Sequence, residues 1–209
     1  MTAKEVYDAV VIYAPGPVTT TCNLHARCES IKQCANPQMV PVVNFDPVKA
    51  KWVKVHKIPS MSSTDALACH NNALCFIEIK GTVDFVKFQI NTNKTNAENL
   101  AKIKQKMKDY TSSLQKKFID SIKICQGITR NKYFNDGIKL KYVLVTDVSL
   151  SPLANFANQL SSLATGSSNW NVIYAAALGT AFSQATANLT NVSMSYKSCQ
   201  EIDSYITGL

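Results

Sequence analysis

The chain is poor in arginine, and it lacks an apolar run of the length that crosses a bilayer. Arg27 and Arg130 are its only arginines. Because bidentate recognition of guanine edges usually relies on arginine, dense direct reading of a DNA sequence is not favoured. Without a long apolar run, we expect no transmembrane helix and no membrane partner. Internal repeats and low-complexity tracts are also absent from the sequence.

Signals for secretion are missing as well. Residues 1–8 include two acidic side chains, and no apolar segment follows a basic start, so this segment does not resemble a secretory leader. The seven cysteines are an odd number, which favours reduced thiols over a disulfide framework when no leader is seen. We therefore expect a cytoplasmic protein.

The residues that are present are typical of a globular protein with a basic surface. The chain has 209 residues, of which 46% are hydrophobic and 17% charged, and we expect one domain over residues 1–209. The net charge of +8 fits either a polyanionic partner or a solvated, lysine-rich surface. Lysine contacts to phosphates would bind nucleic acid largely without regard to its sequence.

Hydrophobic periodicity predicts an α/β domain with a mixed sheet. The first fifty residues are expected to be irregular apart from one short helix, and residues 170–187 are ambiguous between strand and helix. The other predicted elements, in order, are a helix over 20–35, strands over 52–58, 64–69 and 74–80, a further short strand over 83–90, a long helix over 95–127, a strand over 141–147, a helix over 151–163, a weak strand over 191–196 and a helix over 199–206.

The long helix has the clearest pattern. Thr95 and Glu98 fit a capping box at its start. Apolar residues then recur at steps of three and four, at Leu100, Ile103, Met107, Tyr110, Leu114, Phe118 and Ile122. Its other faces carry Lys102, Lys104, Lys106, Lys108, Lys116, Lys117 and Lys123. These lysines either line a nucleic-acid groove or form an ordinary solvated face.

The sharpest prediction concerns a hairpin between the second and third predicted strands. Asn71 and Asn72 suit a two-residue turn, because asparagine tolerates the left-handed conformation. With that turn, Asp65 lies opposite Glu78, and their Cβ atoms are expected about 4.5–5.5 Å apart. Lys80 is two residues beyond Glu78 and shares its face. Both faces are otherwise mostly apolar, so we expect the hairpin to lie centrally in the sheet.

Two carboxylates at this separation repel each other unless a positive group lies between them. A divalent cation meets this need, because hard cations such as Mg²⁺ bind one or two carboxylates together with substrate phosphates. Lys80 meets it too, and Asp65, Glu78 and Lys80 would then form an ion cluster without chemistry. In the first case the Lys80 ammonium could hold or help deprotonate the attacking water, and could stabilise charge on a phosphate.

Asp65, twelve intervening residues and the segment Glu78-Ile79-Lys80 resemble the motif of the PD-(D/E)xK nuclease superfamily, which includes restriction enzymes and RecB-like nucleases. The resemblance covers about residues 20–147, with residues 148–209 as a C-terminal elaboration. It implies a restriction-endonuclease-like core, in which a helix, three strands, a helix and a strand build a mixed central β-sheet flanked by helices.

By this resemblance, Asp65 and Glu78 would bind Mg²⁺ or Mn²⁺, and the backbone carbonyl of Ile79 could add a third ligand. Lys80 would position the water that attacks phosphorus. Many members of the superfamily add an acidic residue on the first helix. Glu29 is the best match for that residue here, with an ordinary solvated side chain as the equal alternative.

The resemblance leads to the expectation of a metal-dependent nuclease that hydrolyses phosphodiester bonds. DNA is the expected polymer, and endonuclease the expected type, both by analogy with the family. Members often act as dimers, which leaves a homodimer open. Two alternatives stand beside this hypothesis. One is a nuclease-like fold that binds nucleic acid or protein without cutting, and the other is an interaction protein whose ion cluster is inert.

Overall fold

The computed structural model describes residues 1–24, 38–81, 86, 90, 93–132, 137–147, 170–187, 189 and 191–208. Within these residues the chain forms six strands and six α-helices. In chain order they are α1 (Ala3–Tyr13), β1 (Thr19–Thr20), α2 (Thr21–Leu24), β2 (Pro41–Asn44), α3 (Phe45–His56), β3 (Ala66–His70), β4 (Ala73–Lys80), α4 (Asn96–Thr129), β5 (Lys139–Thr146), α5 (Trp170–Thr186), β6 (Val192–Ser198) and α6 (Ile202–Thr207). A short 3₁₀ turn, Cys199–Glu201, joins β6 to α6.

The described strands form one mixed sheet in the order β1-β2-β3-β4-β5-β6. Neighbours from β1 to β4 are antiparallel, whereas β5 lies parallel to β4, and β6 parallel to β5. A parallel pair needs a crossover connection, which α4 provides between β4 and β5. The hairpin of β3 and β4 occupies the middle of the sheet. The predictions of an α/β fold, a mixed sheet and a central hairpin are therefore confirmed.

The two faces of the sheet are covered by different helices. On one face, Leu67 and Phe76 pack into a cluster with buried residues of α1, α3, α4 and α5. On the other face, Ala68 and Ile77 pack against Ile206 of α6. Because side chains alternate between faces along a strand, the residues of the first face include the predicted acidic positions. The site therefore lies on the face covered by α4.

The turn of the hairpin is connected to two distant segments. The side-chain oxygen Oδ1 of Asn72 accepts a hydrogen bond from the Ala3 N–H at 3.2 Å, at the start of α1. The Asn72 Nδ2 donates to the Gly137 carbonyl at 2.9 Å. The Lys139 N–H, at the start of β5, donates to the Asn72 carbonyl at 3.1 Å. One turn residue therefore aligns α1 and β5 with the hairpin.

The prediction that the first fifty residues are irregular is wrong. They include α1, which begins with a capping box. Thr2 Oγ1 accepts from the Glu5 N–H at 3.2 Å, and the Glu5 carboxylate accepts from the Thr2 N–H at 2.8 Å. Val6 and Val10 face the core and are fully buried. A capping box stabilises the first turn by giving partners to two otherwise unpaired donors.

The predicted strand over residues 52–58 is also wrong, because most of these residues belong to α3. Asn44 caps this helix by accepting from the Asp46 N–H at 3.2 Å. Pro47 lies in the first turn, where a missing N–H costs nothing. The buried residues Phe45 and Val48 lead to Trp52 at steps of three and four. The helical period therefore starts before the segment whose alternation suggested a strand.

The long helix confirms the prediction for residues 95–127 and extends it to Thr129. Thr95 and Glu98 form the expected capping box. Of the predicted stripe, Ile103, Met107, Leu114 and Phe118 are buried. Leu100, the first residue of the predicted stripe, is 38% exposed, so this side chain is less buried than the pattern predicts.

The structure describes some of the elements that were predicted for the C-terminal part of the chain. Residues 170–186, ambiguous in sequence, are helical throughout as α5. The weak strand becomes β6, and the terminal helix is confirmed as α6 with its preceding 3₁₀ turn. The predicted helix over 151–163, most of that over 20–35 and most of the predicted short strand over 83–90 lie outside the described residues. Among the helices that are described, none is long and apolar enough to cross a membrane.

Candidate functional site

The hairpin has the register that the sequence predicts. His70 pairs with Ala73, and Leu67 pairs with Phe76. Asn71 adopts a left-handed conformation, with φ of 49°, which asparagine tolerates better than most residues. This turn fixes the register, and a one-residue slip would move every side chain to the other face.

Asp65 lies immediately before β3 and is held on the hairpin by two contacts. Its N–H donates to the Ile77 carbonyl at 2.9 Å, which continues the β3–β4 ladder. Its carboxylate Oδ2 accepts from the Ile79 N–H at 2.6 Å. The predicted residue Ile79 therefore contacts Asp65 through its backbone N–H. A quarter of the Asp65 side chain remains exposed (25%), so this carboxylate faces both the cluster and solvent.

Glu78 is the centre of the charged cluster. Its side chain has no solvent exposure (0%). The Lys80 ammonium forms an ion pair with Glu78 Oε1, so two of the predicted residues pair directly. The Lys117 ammonium of α4 contacts the same Oε1 at 2.6 Å and lies 3.6 Å from Asp65 Oδ1. The structure therefore brings Asp65, Glu78 and Lys80 together as predicted, and it adds Lys117.

Burial and charge act in opposite directions on Glu78. Burial disfavours the ionised carboxylate and raises the pKa of Glu78, although Lys80 and Lys117 oppose the shift. For Lys80, burial favours the neutral amine, but the negative charges of Glu78 and Asp65 outweigh this and raise the Lys80 pKa. Lys80 therefore stays protonated at neutral pH. It can donate hydrogen bonds and stabilise negative charge, but it cannot accept a proton from water.

Lys117 is the site residue that the sequence analysis missed. The sequence pattern places it among the lysines on the outer faces of the long helix, for which a nucleic-acid groove and a solvated face are both open. Its position does contain a signal, because it lies three residues after Leu114 and four before Ser121, both of which are buried. Residues three and four apart share a helix face. Lys117 therefore lies at the edge of the apolar stripe, unlike Lys116, whose side chain is 56% exposed.

The surroundings of the cluster include a third carboxylate, that of Asp46, and a tyrosine. Asp46, in the first turn of α3, accepts from Ser63 Oγ at 2.8 Å and from Lys49 Nζ at 2.6 Å. Burial opposes ionisation of Asp46, but these hydrogen bonds and the charge of Lys117 hold its pKa below the ordinary value. Tyr110 contacts the site, since its ring centroid is 5.8 Å from Lys80 Nζ.

The donor set for a metal ion is small. Within the described residues no group of three or more His, Cys, Asp or Glu side chains is placed to hold a metal. Glu29, the predicted additional acid, lies outside the described residues. The two acidic residues of α1 have other partners. The Glu5 carboxylate accepts a hydrogen bond from the Thr2 N–H, and Asp8 forms an ion pair with Lys4. A cation here would bind Asp65 and Glu78 and would need phosphate or water oxygens for its other ligands.

One atom of the cluster is suited to such a ligand role. Glu78 Oε2 is buried, and no described residue gives it a hydrogen bond. A buried carboxylate oxygen without a donor is costly, and it is relieved by a cation or a proton. The donor set of Asp65 and Glu78 is therefore compatible with Mg²⁺ or Mn²⁺, provided that substrate oxygens complete the coordination.

Comparison with known proteins adds no relative. No protein-family model, curated protein or solved structure matches the chain. The resemblance to the PD-(D/E)xK superfamily therefore depends on the residues and their geometry.

Proposed function

We propose that this protein is a metal-dependent nuclease of the PD-(D/E)xK type, which hydrolyses phosphodiester bonds. The observation that carries the proposal is the convergence of Asp65, Glu78 and Lys80 on one face at the end of a central hairpin. An acid on one strand and a Glu-x-Lys pair on the next is the arrangement that the resemblance implies for metal and water binding.

The order of the elements supports the same proposal. Helix α1, strands β2, β3 and β4, helix α4 and strand β5 occur in this order along the chain, with β1 and α2 between α1 and β2 and with α3 between β2 and β3. In the sheet, β2 to β4 are antiparallel and β5 is parallel to β4. In this proposal α1 takes the place assigned in sequence to a helix over 20–35, and β2 replaces the strand over 52–58.

In the proposed reaction, water attacks phosphorus and loses a proton to solvent, the bond from phosphorus to the leaving sugar oxygen breaks, and that oxygen takes up a proton from solvent. A bound divalent ion would supply Lewis acidity and lower the pKa of water. Asp65 and Glu78 would hold it, with the Ile79 carbonyl as a further ligand. Lys80 would donate hydrogen bonds to the attacking water and the phosphate, because its ammonium stays protonated.

The substrate that we propose is DNA, cut internally. The net charge of +8 favours a polyanion. The choice of DNA over RNA, and of endonuclease over exonuclease, comes from the family alone. The same proposal includes a homodimer, in which each of two sites would cut one strand of the DNA duplex.

A second candidate is a nuclease-like protein that binds nucleic acid or protein without cutting. The position of Lys117 favours it, because two ammonium groups facing two carboxylates balance the formal charge with no metal. In that case the cluster would act structurally. Removing one member would then destabilise the fold, since it would leave a buried charge without its partner.

The test is cleavage by the purified protein of supercoiled plasmid, linear duplex, single-stranded DNA and RNA, each with Mg²⁺, with Mn²⁺ and with EDTA. Glu78→Gln and Lys80→Ala should each abolish metal-dependent cutting while circular dichroism shows a folded protein. Lys54→Ala, which removes an exposed lysine in the last turn of α3, is the matched control and should cut normally. Absence of cutting under every condition would favour the non-catalytic candidate.

A further inference from the structure

Lys117 lies where the proposed function needs a metal ion. Its ammonium is 2.6 Å from Glu78 Oε1 and 3.6 Å from Asp65 Oδ1. These are the two side chains that would bind the cation. Lys117 reaches them from the middle of α4, and only 22% of its side chain is exposed. Its charge is therefore poorly screened by solvent.

The charges of the site explain why a metal and this lysine compete. Asp65 and Glu78 carry two negative charges when ionised, and Lys80 and Lys117 carry two positive ones. Adding a divalent cation to this balanced cluster creates an excess of two positive charges in a mostly buried place. Like charges at such distances disfavour one another strongly. A metal can therefore bind well only if Lys117 moves away or an anion enters with the metal.

Lys117 has other partners available. Its four-carbon stem is flexible, and an ammonium accepts oxygen ligands from many directions. The Asp46 carboxylate is close enough that the charge of Lys117 lowers its pKa. Asp46 already receives hydrogen bonds from Lys49 and Ser63. A phosphate bound beside the cluster would thus offer Lys117 the less occupied oxygens.

From these contacts we propose that Lys117 makes divalent-metal binding conditional on phosphate. Without nucleic acid, Lys117 pairs with Glu78 and Asp65 and the metal binds weakly. A phosphodiester group accepts the Lys117 ammonium, which frees both carboxylates for the metal. Lys117 is a positioning residue, because it affects metal binding only through its contacts with the carboxylates of Asp65 and Glu78. The inference rests on the proposed function, since it concerns the same site.

The test measures Mn²⁺ binding with and without a short DNA duplex. Electron paramagnetic resonance detects the free Mn²⁺ ion, and its loss of signal reports the amount bound. Wild type should bind weakly alone and more tightly with DNA. Lys117→Met keeps length and apolar packing but removes the charge. It should bind Mn²⁺ without DNA about ten-fold or more tightly than wild type, since one neighbouring charge shifts such an equilibrium by one to three powers of ten.

Controls separate charge from structure. Lys117→Arg keeps the charge and should behave as wild type, and Lys117→Gln gives a second neutral side chain if the methionine variant does not fold. Lys116→Met removes the neighbouring lysine, which pairs with Asp120 instead, and should leave Mn²⁺ binding unchanged. Equal Mn²⁺ affinity in wild type and both neutral variants would overturn this inference alone. No Mn²⁺ binding by any variant, with or without DNA, would overturn the proposed function as well.

Discussion

At the scale of single residues, Glu78 combines an ionisable group with complete burial. Phe76, on the same face and two residues before it, belongs to the hydrophobic core. Lys80 and Lys117 both contact its Oε1. The carboxylate therefore depends on its two cationic partners, because water cannot solvate it.

Glu78 should make the stability of the protein depend on pH in a defined direction. Its pKa in the folded protein is raised above its ordinary 4.5, first through burial. Above 4.5 and up to the raised pKa, the folded state binds more protons than the unfolded chain. The free energy of unfolding therefore falls as pH rises through this interval.

Glu78→Gln should remove this dependence, and urea denaturation from about pH 4 to about pH 8 would measure it. We expect the stability of wild type minus that of the variant to decrease with rising pH above 4.5. A difference that is constant over this range would show that Glu78 has the same pKa in the folded and unfolded states.

The residues of the site were predictable only where their contacts are local. Asp65, Glu78 and Lys80 follow from the turn at Asn71, because register in a hairpin is fixed by counting from the turn. Lys117 is 39 residues from Glu78 in sequence. Its contact depends on how far α4 slides and rotates against the sheet. The helical period indicates that Lys117 borders the buried face of α4, but no local pattern specifies which residue of the sheet it contacts.

At the scale of elements, the two errors have different physical causes. The segment 52–58 alternates, yet residues 52–56 belong to a helix that begins at Phe45 and has a proline in its first turn. The start of α1 has the same Thr-x-x-Glu signature as the start of α4, so the capping box of α1 is also encoded locally in the sequence. The strands of the hairpin and α4 were predictable because turn, cap and periodicity agree there.

The contact between α3 and α4 allows a prediction about Gly127. A Cβ built at Gly127 would lie 2.2 Å from Trp52 Cη2 and 2.4 Å from Cζ2. In an open helix, alanine is favoured over glycine by about 1 kcal/mol. Here we expect Gly127→Ala to destabilise the protein by about 1–3 kcal/mol, because the ring is displaced.

Urea denaturation of Gly127→Ala, Trp52→Leu and the double variant would test this contact. The alanine should cost less free energy of unfolding when residue 52 is leucine, since the smaller side chain leaves room for the methyl group. Strictly additive changes would indicate that Gly127 and Trp52 do not interact in the way described.

At the scale of the whole molecule, a line of aromatic rings joins both halves of the chain. It passes from Phe45 to Phe76, Phe118, Tyr142 and Phe182, with centroid separations of 6.5, 5.3, 4.7 and 4.9 Å. These rings connect α3, β4, α4, β5 and α5. The strand order that brings them together was not predictable beyond a mixed sheet, because it depends on pairings between residues far apart in sequence.

If the protein binds DNA as proposed, its net charge predicts how that binding depends on salt. With +8 overall and only two arginines, binding should depend on phosphates more than on bases. The logarithm of affinity should fall linearly with the logarithm of salt concentration, by about 0.9 for each phosphate contacted. Fluorescence anisotropy with Glu78→Gln, which is expected not to cut, would measure this for two duplexes of unrelated sequence.

The two duplexes should give the same line within error. Binding that is insensitive to salt would contradict a role of the lysine-rich surface. Lines displaced from each other would show base recognition, which the scarcity of arginine does not favour.

The Asn72 turn has a consequence for the rates of folding and unfolding. The hairpin itself closes over two residues, so it can form early. The partners of the Asn72 side chain are 69 and 65 residues away, and bringing them together requires the closure of long loops. Bonds that form after the transition state slow unfolding without accelerating folding. We therefore expect Asn72 to govern how long the native state persists more than how quickly it is reached.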